Sequence, residues 1–136
     1  MKLNASSIAK LKGVHPDLVR VVLRCAKDWK DPGTGFIVIC GLRTLAEQKV
    51  LVAKGASKTM RSRHLTGHAV DLAATIAGKV RWDWPLYDRL AKAMKAAAKA
   101  EKVTVEWGGD WKTFKDGPHF QLPWVQYPGT KTGAKT

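Results

Sequence analysis

The spacing of apolar positions along the chain changes several times, and each change marks an element. Residues 4–12 carry a short helical pattern, with Ser6 and Ser7 as candidate caps. Pro16 suits the first position of a helix. After it, Leu18, Val22, Ala26 and Trp29 recur at helical spacing and predict a single apolar face. Asp31-Pro32-Gly33-Thr34-Gly35 closes that helix in a turn. Phe36 to Cys40 is an unbroken β-favouring run, apolar on both faces, which predicts a central buried strand. Thr44-x-x-Glu47 is a capping box that opens a helix running to about Ala53, before Gly55.

The second half reads differently. Residues 56–63 are polar and basic, a loop bordering a site. Ala69-Val70-Asp71-Leu72 then alternates as a half-buried strand does, Val70 and Leu72 on one face and Asp71 on the other. A Gly78-Lys79 turn leads to a helix over about 85–101. Leu86, Leu90, Ala93, Met94 and Ala97 are its expected core face, with Arg89, Lys92, Lys95 and Lys99 in solvent. Val103–Trp107 and the segment from His119 predict two more strands, Phe120 and Leu122 facing the core. Residues 128–136 read as a disordered tail. Helices before and between short strands, with hairpin-like late connections, predict one α+β domain over residues 1–127.

Composition narrows the partners. The 136 residues are 45% hydrophobic with six tryptophans, which predicts a folded globule. Lys and Arg number 24 against 11 Asp and Glu, a net charge of +13, so a polyanion is the expected partner: nucleic acid, an anionic membrane or an anionic cell wall. The basic residues are dispersed and form no nucleic-acid motif. No apolar run is long enough to cross a membrane. Met1-Lys2-Leu3-Asn4 opens no signal-peptide core, so action outside the cytoplasm would need release by another factor. Cys25 and Cys40 lack CxxC spacing and fall at apolar positions; both are expected to be buried free thiols.

Two stretches carry candidate chemistry. In Arg61-Ser62-Arg63-His64-Leu65-Thr66-Gly67-His68-Ala69-Val70-Asp71, an imidazole and a carboxylate stand seven positions apart. Seven extended residues span roughly 23 Å, so the chain must fold back for both to reach one ion, and Gly67 permits that turn. On its own the stretch fits a solvated surface loop equally well. Asp116-Gly117-Pro118-His119-Phe120-Gln121-Leu122 adds a second imidazole at the head of a strand, with His119 and Gln121 on the face away from the core. Two His and one Asp leave a fourth position open on zinc, the arrangement of catalytic sites. Asp116 is placed to act as general base, although Asp-Gly-Pro is also ordinary turn chemistry. His68 has the opposite strand parity to Asp71, and His15 reads as a helix-start residue; neither is expected at the site.

Ser62-x-His64-x-x-Gly67-x-Ala69-x-Asp71 resembles the zinc signature of the D-alanyl-D-alanine peptidase/hedgehog-like metallopeptidases. Gly41-Leu42-Arg43-Thr44-Leu45-Ala46-Glu47-Gln48, Trp107-Gly108-Gly109-Asp110-Trp111 and the segment 116–122 resemble its phage branch, the L-alanyl-D-glutamate endopeptidase endolysins. The resemblance implies a small antiparallel sheet flanked by helices, with Zn2+ held by His64, Asp71 and His119. It gives Asp116 and Arg43 catalytic roles, Arg43 holding substrate or the developing oxyanion. Ser62 and Gln48 match positions lining the site; Trp111 is a candidate substrate wall, while Trp107 is expected in the core. The implied activity is hydrolysis of the L-alanyl-D-glutamate bond of peptidoglycan stem peptides during host lysis. Such a protein would be a monomer made in the host cytoplasm, acting on the wall in the periplasm and drawn to anionic envelope polymers by its charge. A D-alanyl-D-alanine carboxypeptidase or dipeptidase on the same scaffold, or a non-catalytic zinc-stabilised wall-binding module, are the alternatives.

Overall fold

A computed structural model describes residues 1–57, 59 and 61–128. Its elements in order are α1 (Ala5–Lys10), α2 (Pro16–Asp28), β1 (Thr34–Cys40), α3 (Leu45–Ala53), a 3-10 turn (Arg63–Thr66), β2 (Ala69–Ile76), β3 (Lys79–Val80), α4 (Trp84–Glu101), β4 (Glu106–Trp107), a second 3-10 turn (Gly108–Asp110) and β5 (His119–Gln121). The strands form one antiparallel sheet in the order β1-β2-β5-β4, with β3 paired to β2. The architecture is α+β, as the alternation of periods predicts. Of the tail expected over residues 128–136, residues 129–136 lie outside the described residues.

The core lies between the sheet and the long helices. Leu18, Val21, Val22 and Cys25 of α2 and Leu90 and Met94 of α4 are buried with Val38, Val70, Leu72 and Phe120 of the sheet. Removing apolar side chains from water is the main driving force for that arrangement. Among the described residues, no helix is long and apolar enough to cross a membrane.

Four expectations need correction. The cap of α1 is Asn4, whose side chain accepts from the Ser7 amide; Ser7 itself is buried and its Oγ accepts from the Val38 amide at 2.9 Å. That bond explains the second correction, for β1 lies at the end of the strand order and β2 is central. The β1 run is apolar on both faces because α1 packs beside it and satisfies an edge amide, which restrains edge pairing with other chains. Third, the buried face of α4 is Tyr87, Leu90, Ala91, Met94, Ala97 and Ala98, with Leu86 and Ala93 only half-buried. Tyr87 turns inward because its hydroxyl accepts from the Ala74 amide of β2 at 3.2 Å. Fourth, only Glu106 and Trp107 of the 103–107 stretch join the ladder.

Other expectations hold. Pro16 starts α2, with His15 as its cap. Thr44 and Glu47 complete both halves of a capping box on α3. Arg89, Lys92, Lys95 and Lys99 are exposed on α4, and Trp107 is buried against Phe120.

Candidate metal centre

Strand register builds the site. Cys40 of β1 pairs with Asp71 of β2, and Asp71 pairs with His119 of β5, so the three stand in a row across the sheet. Cys40 reaches that row through a bulge. Val38 is opposite Leu72 and Cys40 is opposite Asp71, leaving Ile39 without a partner. One extra residue reverses which face a strand's side chains take. Cys40 therefore joins the site face although strict alternation groups it with Phe36 and Val38. Both cysteines are free, as expected, but Cys40 is half-buried where burial was expected; Cys25 is buried, and burial pushes its thiol up to about 12.

His64 enters from the 3-10 turn. The Ser62 hydroxyl caps that turn by accepting from the His64 amide at 3.2 Å, and Gly67 ends it in the left-handed region at φ 75°. A Cβ on Gly67 would also meet the Gly13 carbonyl oxygen at 2.3 Å, so glycine is required twice over. Arg63 fastens the turn to the segment that follows β5. Its buried guanidinium donates to the carbonyls of Leu122 and Tyr127 and lies 4.2 Å from the centre of the Trp124 ring.

Both imidazoles point at one carboxylate oxygen. His64 Nε2 is 3.1 Å and His119 Nδ1 3.2 Å from Asp71 Oδ1. The far nitrogens decide what those contacts mean. His64 Nδ1 lies 2.8 Å from the Gly41 carbonyl and His119 Nε2 lies 2.7 Å from Gln121 Oε1, and both oxygens can only accept. The ring protons of neutral imidazoles therefore sit on the far side. With both rings neutral, two lone pairs and a carboxylate would converge with no proton among them. Such a set calls for a shared proton or a cation, and imidazoles whose other N–H is tied to an oxygen are the usual dress of metal ligands.

Electrostatics describe the shared-proton form that the site takes when no ion is bound. Burial opposes charge on His64, but hydrogen bonds with Asp71 and Cys40 and the Asp71 charge outweigh it and raise the imidazole to about 10. Burial likewise opposes ionisation of Asp71, and the contacts with His119 and His64, through a proton shared at the site when no ion is bound, win and hold the carboxyl well below its usual range. Donor atoms of Cys40, His64 and Asp71 lie within 4.8 Å of one another, as do those of Asp71, Asp116 and His119, and Asp71 belongs to both groups.

Asp116 reaches the site through the Gly108 turn. Its amide donates to the Gly108 carbonyl at 3.1 Å, and a Cβ on Gly108 would lie 2.4 Å from the Asp116 carbonyl oxygen. Burial first, and then the like charge of Asp71, raise the Asp116 carboxyl above its ordinary value. That is the direction a general base at neutral pH needs.

The remaining candidates separate. Arg43, Ser62, Trp111, Asp116 and the two imidazoles line a cleft of about 530 Å³. Trp111 stands with its ring centre 5.1 Å from that of His119. Arg43 donates to Gln48 Oε1 at 2.7 Å and to Cys40 Sγ at 3.4 Å, and lies 3.7 Å from Asp71 Oδ2. Gln48 lies behind the cleft wall, fully buried, donating to the Thr59 carbonyl and Ser57 hydroxyl, so it supports Arg43 instead of facing the cleft. His68 is elsewhere: it contacts the Thr66 hydroxyl, beside His15 and Tyr127. Sequence reading misses Cys40, Gln121 and the Gly41 carbonyl. Gln121 had a signal, its shared strand parity with His119; the other two had none.

Residues 1–122 match the family described as phage L-alanyl-D-glutamate peptidase. The chain belongs to that family. It is 39% identical over 120 residues to the L-alanyl-D-glutamate peptidase of Listeria phage A118, covering 88% of this chain but 41% of that protein. To the L-alanyl-D-glutamate peptidase of Escherichia phage T5 it is 31% identical, with 85% of each chain covered. Among solved structures, the L-Ala D-Glu endopeptidase ChiX of Serratia marcescens matches with a TM-score of 0.85 and 50% identity, over 93% of this chain and 94% of that one. The helices and antiparallel sheet described above are thus the fold of an enzyme of this family.

Proposed function

We propose that the protein is a zinc-dependent endopeptidase that hydrolyses the L-alanyl-D-glutamate bond of peptidoglycan stem peptides, as a phage endolysin does during host lysis. The observation that carries the reading is the convergence of two imidazole lone pairs on one Asp71 oxygen, beside a carboxyl of raised pKa in an open cleft. The names of the A118, T5 and ChiX relatives supply the bond. Residues 1–127 would form the catalytic unit.

His64, Asp71 and His119 would hold the ion. When bound, zinc supplies Lewis acidity, polarising a carbonyl and making water acidic enough to ionise near neutral pH. The chain's own groups do the rest. Asp116 accepts the proton of the attacking water and returns it to the leaving amine. Arg43, pinned by Gln48, holds a fixed fork of donors toward the oxygen on which negative charge develops. Trp111 and Ser62 border the peptide. The +13 charge concentrates the protein at anionic envelope polymers, an attraction that physiological salt screens over about 8 Å.

The test is digestion of purified peptidoglycan by the zinc-loaded protein, with mass spectrometry of the new ends. New C-terminal L-alanine and N-terminal D-glutamate are expected. Release of terminal D-alanine alone would replace this reading with a carboxypeptidase. Zinc binding without any cleavage would replace it with a wall-binding module.

A further inference from the structure

We propose that Gln121 and Glu106 are a positioning relay that fixes the tautomer of His119 and thereby sets how tightly the site holds its metal ion. The proposal deepens the reading above and rests on His119 being a ligand.

The outer end of the relay is Glu106. A carboxylate at neutral pH only accepts hydrogen bonds. Gln121 Nε2 lies 3.1 Å from Glu106 Oε1, so the carboxamide must present its NH2 to Glu106 and its oxygen to the other side. That oxygen lies 2.7 Å from His119 Nε2 and can only accept, so Nε2 carries the ring proton. The neutral ring then has its lone pair on Nδ1, the nitrogen that faces Asp71. One carboxylate at the protein surface thus determines which nitrogen of a buried imidazole is free to bind a cation.

The sheet holds this relay in place. Glu106 and Gln121 are cross-strand partners, and His119 and Gln121 are two residues apart on one strand, hence on one face. Gln121 is 7% exposed and His119 is 6% exposed, so leaving either polar group unpaired would be costly. Trp111 against the ring limits its rotation. The negative end of the relay also draws the Nε2 proton outward, which strengthens Nδ1 as a donor to metal.

The experiment uses the full chain, stripped of metal, with two readouts. Zinc affinity is measured by competition with a chromophoric chelator, and the ring tautomer by long-range 15N–1H NMR of the metal-free protein at mildly alkaline pH. The wild type should show a protonated Nε2 and an unprotonated Nδ1 at His119. Gln121→Leu should populate the other tautomer and weaken zinc binding about 10–100-fold, the usual range for a lost outer partner. The paired exchange Gln121→Glu with Glu106→Gln keeps an acceptor toward Nε2 and a donor behind it, and should return both readouts to near wild type. If Gln121→Leu does not fold, Glu106→Ala at the exposed end should shift both readouts in the same direction by less.

Unchanged zinc affinity in Gln121→Leu, or in Glu106→Ala where that variant carries the test, would overturn the relay. So would a paired exchange as weak as Gln121→Leu, since packing alone would then explain the loss. A wild type that binds zinc with its His119 proton on Nδ1 would also overturn it. A wild type that binds no zinc overturns the metal reading instead, a result distinguishable from all of these.

Discussion

The two imidazoles that face Asp71 are held in unlike ways. His64 sits on a tight turn and is anchored by backbone. Its Nδ1 donates to the Gly41 carbonyl, its own carbonyl accepts from the Arg43 amide, and the turn around it depends on Gly67. His119 sits on a regular strand and is anchored by the side chains of Gln121 and, beyond it, Glu106. A backbone acceptor has one chemistry and one place, so the His64 half can be disturbed only by moving main chain. A side-chain acceptor can be exchanged, so the His119 half is where strength is adjustable. The site joins a rigid geometric half to a tunable electrostatic one, with Asp71 between them.

The largest expected effect tests whether both halves are needed. His64→Ala and His119→Ala should each abolish zinc binding and activity, while His68→Ala keeps its zinc, since His68 points toward Thr66, His15 and Tyr127. Elemental analysis after dialysis decides it. Loss of zinc in His68→Ala would break the assignment of ligands.

Next comes Asp116, which belongs to the His119 half in space yet is assigned to proton transfer. Asp116→Asn keeps size and an accepting oxygen but cannot take a proton at neutral pH. It should retain zinc and lose on the order of 10²–10⁴-fold in kcat. Near-normal turnover would make Asp116 a turn residue, and loss of zinc would make it a ligand.

The rigid half has its own probe in Gly41→Ala. The added Cβ would lie 2.0 Å from the Lys10 carbonyl oxygen, which is backbone and cannot swing aside. Overpacking of this kind costs about 1–3 kcal/mol, and relief must displace the carbonyl that orients His64. Thermal unfolding should show the destabilisation, and chelator competition should show weaker zinc binding. Normal zinc affinity would mean that His64 does not depend on its backbone partner.

The smallest effect is a pH dependence confined to the metal-free protein. His64 is raised from 6.5 to about 10 by its partners, so the stabilisation it contributes is complete below about pH 6.5 and lost as pH rises toward 10. The melting temperature in chelator should therefore fall from neutrality into alkali, and His64→Gln should flatten that slope. An equal slope in the variant would assign it to other groups.

Much of this was legible in the sequence, for identifiable reasons. Helical and strand periods, the Thr44–Glu47 capping box and the Pro16 helix start are local, and local physics sets them within a few residues. The His64, Gly67 and Asp71 spacing was legible in part, because a glycine between two candidate ligands permits a fold-back without requiring one. Cys40 was not. Its parity in the run Phe36–Cys40 says core, and a bulge at Ile39 that only pairing with β2 creates turns it toward Asp71. Nor was the edge position of β1, because a strand covered by α1 has the same apolar pattern as a central one.

What the sequence determined by itself was therefore which elements form and which residue types could meet at a metal. Tertiary structure alone decided which atoms meet. The Gly41 carbonyl behind His64, the Gln121–Glu106 pair behind His119 and the row Cys40–Asp71–His119 join segments up to 79 residues apart, from Cys40 to His119. No local pattern encodes such contacts, because they follow from strand register and from close approaches of backbone that only glycine at positions 41, 67 and 108 allows.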